Sequence, residues 1–218
     1  ARLHIPFLTL DASAEYKKHV IDYLLAEYRA GRTPNPDVMC NREVKFGAFY
    51  RFAKAHGADA IATGHYRSGE KDQSYFLWAM PPQVVSRVLF PIGEMTKPHV
   101  REKARELGLE VADKKDSTGI CFVGEVDMRT FLQERLPKTP GNVVTVDGNV
   151  IGTHEGLAFY TLGQREGLGI GGGTPYYVVE KRSATNELVV ASNFHPLLYR
   201  SDLTASTLNW FEKPSWPF

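Results

Sequence analysis

The pattern of the chain predicts an α/β domain followed by a small, mostly-β domain. Three observations carry that expectation. Amphipathic helical stripes alternate with a short apolar run in the first part. The stretch PKTPG at 137–141 then breaks the pattern, and period-2 runs with turn dipeptides fill the remainder of the chain. The expected division is residues 1–137 for the α/β domain and 138–218 for the β domain.

In chain order, the first helix is expected over residues 14–30. Val20, Leu24, Leu25 and Tyr28 share one stripe, Lys17, Lys18, Asp22 and Glu27 lie off it, and Gly31 is a natural stop. GRTPNPDVMCN comes next, and its prolines at 34 and 36 push their predecessors toward extended backbone, so a rigid loop is expected. A second helix is expected over residues 42–56 with Asn41 as its N-cap. Val44, Ala48, Phe49 and Phe52 would face inward and Arg42, Lys45, Arg51 and Lys54 outward. ADAIATGHY reads as a short buried strand closed by a glycine turn. Thr96 is the expected cap of a helix reaching Leu107, with Val100, Ala104 and Leu107 inward and Gly108 after it. Beyond PKTPG, VVTV-DG-NVIG predicts a hairpin turning at Asp147-Gly148, and YYVVEK with NELVVAS a second pair. The first residues read as a strand entering in mid-sheet, which would leave an edge exposed, so the chain is expected to be a portion of a longer protein.

Composition narrows the function. The 26 Lys+Arg nearly cancel the 25 Asp+Glu, and 43% of residues are hydrophobic, which excludes a disordered tail or a collagen-like chain. No apolar run approaches the roughly 20 residues a membrane helix needs, and the N-terminus lacks a signal-peptide pattern, so no membrane is expected and the cytoplasm is the expected compartment. Near-neutral charge leaves a nucleic-acid partner open, because counterion release depends on local phosphate contacts. The two cysteines, Cys40 and Cys121, are too few for a secreted disulfide scaffold or for a zinc site of their own, and no CxxC arrangement is present.

Four segments carry chemistry. In TPNPDVMCN, Cys40 is expected just before a helix N-terminus, where unpaired N–H groups favour a thiolate, with Asp37 near enough to handle a proton; the same residues also suit a plain capped loop. In KKDSTGICFVGE, Cys121 follows a polar turn near Lys114 and Lys115, cations that lower a thiol pKa, although ICFV also reads as an ordinary core strand. In IATGHYRSGEKDQSYF, a strand ending at Gly64 lets a ligand approach the backbone, and Lys71, Asp72 and Gln73 could meet phosphate and base edges or form a solvated loop. TLGQREGLGIGGG holds six glycines in 13 residues and Arg165, but no βαβ context for a dinucleotide fingerprint; it reads as a β-domain loop with RNA contact left open. His65, His99 and His154 have no metal-ligand spacing and read as structural, and no metal site is expected.

Taken together, GRTPNPDVMCN, ATGHY, KDQSYFL, KKDSTGICF and GLAFYTLGQREGLGIGG resemble, in this order, the bacterial-type tRNA-specific 2-thiouridylases, the MnmA/TrmU family. The likeness runs from about residue 10 to about residue 210. It implies a partial adenylating domain, PP-loop ATPase-like and Rossmann-like, ahead of the β domain. It implies a tRNA-uridine 2-sulfurtransferase that adenylates the C2 oxygen of the wobble uridine with ATP, with Mg expected alongside, and then delivers persulfide sulfur. On that resemblance Cys121 would carry the persulfide, received from a sulfur relay protein or a cysteine desulfurase. Cys40 would be the nucleophile and able to form a disulfide with Cys121. Asn35, Pro36 and Asp37 would sit at the target base, with Asp37 assisting proton transfer. Gly64 would lie in the ATP site, and Lys71, Asp72 and Gln73 would touch tRNA. The chemistry suits the residues: a uracil C2 carbonyl is a poor electrophile, sulfur transfer uses one thiol to carry and one to resolve, and the base must leave its stack.

The resemblance has departures. The family's phosphate loop of the type SGGVDSS is absent from these residues, the C-terminal β-barrel is expected beyond them, and the link from His65 to Lys71 is shorter than usual. These residues by themselves are therefore expected not to adenylate tRNA. Two other functions fit parts of the pattern. A noncatalytic tRNA-binding fragment would bind with steep salt dependence and transfer no sulfur. Another adenylating α/β ligase would need no cysteine pair.

Overall fold

The computed structural model describes residues 5–67, 72–114, 127–171, 173–212 and 215. The chain folds as two compact units, one of residues 1–22, 35–125 and 208–218, the other of residues 23–34 and 126–207. PKTPG lies inside the second unit, after a short helix.

Helix α1 covers residues 13–29. It is α-helical at Ser13–Tyr16 and Asp22–Arg29, with π-type turns over Lys17–Ile21 between them. Val20 and Leu24 are fully buried, and Leu25 and Tyr28 nearly so, as the apolar stripe requires. Gly31 ends the helix at φ +78°, with its N–H on the Tyr28 carbonyl and the Arg32 N–H on the Glu27 carbonyl, the paired bonds of a glycine C-terminal turn. The segment ahead of α1 forms no strand. Ile5, Phe7 and Leu8 are exposed, since a strand needs a neighbour for its N–H groups and the sheet of this unit has two strands among the described residues.

Helix α2 covers residues 36–55, α-helical at Pro36–Met39 and Tyr50–Ala55 and π-type over Cys40–Phe49. The expected strand is β1, Ile61–Ala62, paired in parallel with β2, Val88–Leu89. Between them lie a 3-10 turn, Ser74–Leu77, and the short helix α3, Pro82–Val85. Phe46 from α2, Ile61 and Val88 from the strands, and Leu77, Met80 and Val84 from the crossover form one buried cluster. Helix α4, Lys97–Glu106, starts where expected but buries none of its residues fully. Val100 and Ala104 are half-buried, and Leu107, expected inward, is 66% exposed. It sits past the last turn, where Gly108 at φ +63° redirects the chain.

The second unit carries helix α5, Met128–Gln133, capped by the Asp127 carboxylate on the Thr130 N–H at 2.8 Å. Its sheet has the order β4-β3-β6-β5, with β3 Gly141–Thr145, β4 Val150–His154, β5 Tyr176–Arg182 and β6 Glu187–Ser192. Both expected hairpins form, and Gly148 adopts φ +85° in the first turn. The two hairpins join through their inner strands, β3 and β6, in parallel, with Val143 opposite Leu188. Val144, Val179, Val189 and Ala191 form a buried cluster of this sheet. Gly141 tolerates no side chain: a Cβ there would lie 2.1 Å from the Asn186 carbonyl oxygen and 2.7 Å from His154 Nε2. Residues 23–34 are held in this unit by the Lys181 ammonium on the Gly31 carbonyl at 3.1 Å and by a Thr33–Thr161 hydroxyl contact at 3.1 Å.

Candidate active site

The TPNPD segment is the start of α2. Asn35 is its N-cap, in extended backbone, with its side-chain oxygen accepting from the Asp37 N–H at 3.0 Å and the Val38 N–H at 3.4 Å. Pro36 occupies the first helical position, where its missing N–H is no loss. The helix therefore begins at Pro36, not at residue 42, and Asn41 is not its cap. The extended backbone that Pro36 imposes on its predecessor is supplied by the cap residue itself, so the proline announces a helix start and not a continuing loop.

That shift relocates Cys40. It lies inside α2, one turn past the start, with no exposed surface, and not in a loop ahead of a helix N-terminus. Asn41 follows it into the interior, 3% exposed, with its Nδ2 donating to the Phe76 carbonyl at 3.0 Å. The bond ties α2 to the 74–77 turn. The Oδ1 atoms of Asp37 and Asn41, four residues apart and so on one helix face, are both buried without a hydrogen-bond partner.

Gly64 follows β1, is exposed, and lines a cavity of about 900 Å³ in the first unit. Thr63, His65, Gln73 and Lys45 line it too, and the rings of Tyr16, Phe49 and Phe52 supply apolar wall. His65 is buried, its Nδ1 2.9 Å from the Thr63 hydroxyl and its ring between Phe46 and Phe90 at centroid distances of 5.9 and 6.2 Å. Burial, and then the nearby Lys45 charge, push its pKa down to about 4, so the ring is neutral at pH 7.

Gln73 joins this region through both its backbone and its side chain. It exchanges bonds with Tyr66, N–H to carbonyl at 2.9 Å and Tyr66 N–H to Gln73 Oε1 at 3.1 Å. Asp72 is exposed and accepts from the Ser74 N–H at 2.8 Å, which holds its carboxyl below the usual range. Lys71 and Cys121 lie outside the described residues. The structure thus brings Gly64, His65 and Gln73 to one cavity and sets Asn35, Pro36, Asp37 and Cys40 on one helix start.

Two residues of this region escape sequence reasoning. Lys45 and Phe49 both line the cavity, although a 3.6-residue stripe puts Lys45 outside and Phe49 in the core; Lys45 is half-buried and Phe49 is 41% exposed. The wide turns over Cys40–Phe49 rotate both faces away from that count. Asn41 reads as a cap from composition alone, and only the Pro36 start could have placed it inside.

The glycine-rich loop belongs to the second unit. Gly163, Gly167, Gly169 and Gly173 have positive φ, and a cavity of about 540 Å³ there is lined by Arg165 and Tyr176. Arg129 on α5 reaches this loop at the Gly167 carbonyl, 3.4 Å, and pairs with Glu155 at 2.9 Å. His154 is buried with Nε2 3.1 Å from the Asn186 carbonyl oxygen, a packing role as read from the sequence. Among the described residues no group of three His, Cys, Asp or Glu could hold a metal, and no helix is long and apolar enough to cross a membrane.

Two family descriptions match the chain: "tRNA methyl transferase HUP domain" over residues 1–125 and "tRNA methyl transferase PRC-barrel domain" over residues 129–192. Curated relatives named tRNA-specific 2-thiouridylase MnmA match most of it. The protein of Hahella chejuensis is 52% identical over 230 residues, covering 96% of this chain and 63% of the relative. That of Legionella pneumophila strain Lens is 48% identical, covering 96% and 64%, and that of Bacillus subtilis 49% identical, covering 96% and 61%. The chain thus spans under two thirds of the length of these relatives. With the HUP-domain match over residues 1–125 ahead of the PRC-barrel match over residues 129–192, and with these relatives, the chain belongs to the family of the tRNA-specific 2-thiouridylases.

Proposed function

We propose that the protein to which these residues belong transfers sulfur to C2 of the wobble uridine of tRNA, using ATP and persulfide sulfur. The observation that carries this reading is the set Asn35, Pro36, Asp37 and Cys40 on one helix start in a chain 48–52% identical to named 2-thiouridylases. The relatives' names favour thiolation over the methyl transfer in the domain descriptions.

The cavity beside Gly64 has the size and the mixed apolar and cationic lining an adenine nucleotide needs. Gly64 would line the ATP site there, and the chemistry of ATP is to turn the C2 oxygen into a leaving group. Asn35 caps the helix start at which Pro36 and Asp37 meet the base, and the buried Asp37 Oδ1 has acceptor capacity for a proton from the base. Cys121 carries the persulfide, and Cys40 is the partner thiol able to form a disulfide with it. Because Cys40 has no exposed surface in the free protein, its cover must part when tRNA binds. Asp72 and Gln73, with Lys71, bear on the tRNA. Mg accompanies the nucleotide, and a sulfur relay protein or cysteine desulfurase loads Cys121.

Nucleoside analysis of tRNA from cells lacking the protein tests the reading. Loss of 2-thiouridine derivatives at the wobble position is expected; an unchanged level contradicts it.

A further inference from the structure

Among the described charged residues of the first unit, Lys45 stands apart. It is half-buried on α2, lines the 900 Å³ cavity beside Gly64, and among the described residues has no carboxylate within ion-pair reach. The other charges on this cavity are engaged. Lys17 bonds Asp22 at 3.2 Å, and Asp11 accepts from the Ser13 N–H at 2.9 Å and from its hydroxyl. His65 supplies no second cation, because burial and Lys45 itself keep the ring neutral at pH 7. An ammonium on the wall of a cavity with no carboxylate beside it is available to pair with an anionic ligand.

The rest of the lining says what that ligand is. Gly64 presents backbone without a side chain, and a Cβ there would meet only Ile92 Cδ1 at 3.8 Å, so the surface is open to close approach. Tyr16, Phe49 and Phe52 offer rings to a flat apolar group on the same cavity. An aromatic wall and an unpaired cation together match a heteroaromatic base bearing a phosphoryl anion.

We infer that Lys45 is a phosphate ligand: its ammonium pairs with a phosphoryl oxygen of an adenine nucleotide bound in the cavity lined by Gly64, Phe49 and Phe52. The inference rests on the nucleotide reading of this cavity given above and adds to it a residue that no motif marks. Its role is electrostatic, as an ammonium acts as a point charge on a phosphate and not as a bidentate fork.

The test titrates ATP, AMP and adenosine into the intact protein by calorimetry, for the native sequence, Lys45→Met and Lys45→Arg. Lys45→Met is expected to weaken ATP and AMP about tenfold or more, the size of one lost charge-assisted bond, while adenosine affinity stays unchanged. Lys45→Arg is expected to restore most of the loss. Should methionine disturb the fold, seen as lost adenosine binding, Lys45→Gln against Lys45→Arg carries the same comparison. ATP binding equal in Lys45→Met and the native protein overturns the inference and leaves the nucleotide reading standing. A native protein that binds none of the three ligands overturns both. If Lys45→Met weakens tRNA in a filter-binding assay while ATP affinity holds, the cation serves an RNA backbone phosphate and the inference falls.

Discussion

Cys40 shows how much a single placement decides. With no exposed surface, its sulfur reacts only when local structure opens. An alkylating reagent should modify it at least about a hundredfold more slowly than an exposed thiol in the free protein, an opening free energy of roughly 3 kcal/mol. Addition of tRNA should speed the reaction; modification of free protein at the rate of an exposed thiol contradicts the placement. His65 gives a second local prediction. Its pKa in the folded state, about 4, lies below the ordinary 6.5, so the unfolded chain binds the proton more readily between those values. Its stabilising contribution is complete above pH 6.5 and is lost as the pH falls toward 4. An NMR titration should leave the ring neutral down to about pH 4, and a midpoint near 6.5 contradicts the buried environment. Asn35→Ala removes two capping bonds and should cost about 1 kcal/mol in chemical denaturation, while Asn35→Asp keeps most of it. No loss in the alanine variant would mean that another group caps α2.

Elements whose signals are local are legible in the sequence. The hairpin at Asp147-Gly148 forms because its turn dipeptide and flanking alternation are contiguous, and the Gly31 stop works through its own positive φ. The start of α2 is not legible in this way, because Pro36 and Asn35 have two readings, rigid loop or capped helix, and only tertiary contacts choose between them. The inward and outward faces of α2 fail for another reason: its π-type turns obey a different period from the one a sequence stripe assumes. The parallel junction of β3 and β6 has no local signal at all, since it joins strands about 45 residues apart. One consequence of that junction is testable. Gly141→Ala would drive a methyl group into the Asn186 carbonyl and the His154 ring, and should destabilise the second unit by about 3 kcal/mol or more in urea unfolding. A variant as stable as the native protein would show that the β3 end and the Asn186 turn part freely.

The candidate site residues fall unevenly between the two units. Asn35, Pro36, Asp37 and Cys40 open α2, and Gly64, His65, Gln73 and Lys45 share one cavity, all in the first unit. The PRC-barrel region holds the parallel-joined hairpins and the glycine-rich loop with Arg165. The family is legible from its motifs because their residues are contiguous, whereas Lys45 carries no motif and emerges only from the cavity. The proposed reaction is sulfur transfer by two thiols to an activated uridine. The decisive measurement is mass-spectrometric nucleoside analysis of tRNA incubated with the intact protein, ATP and a persulfide donor, for the native sequence, Cys121→Ser and Cys40→Ser, each shown to be folded. Wobble 2-thiouridine should form with the native protein, vanish with Cys121→Ser and fall severely with Cys40→Ser; undiminished 2-thiouridine in both folded variants would contradict the mechanism.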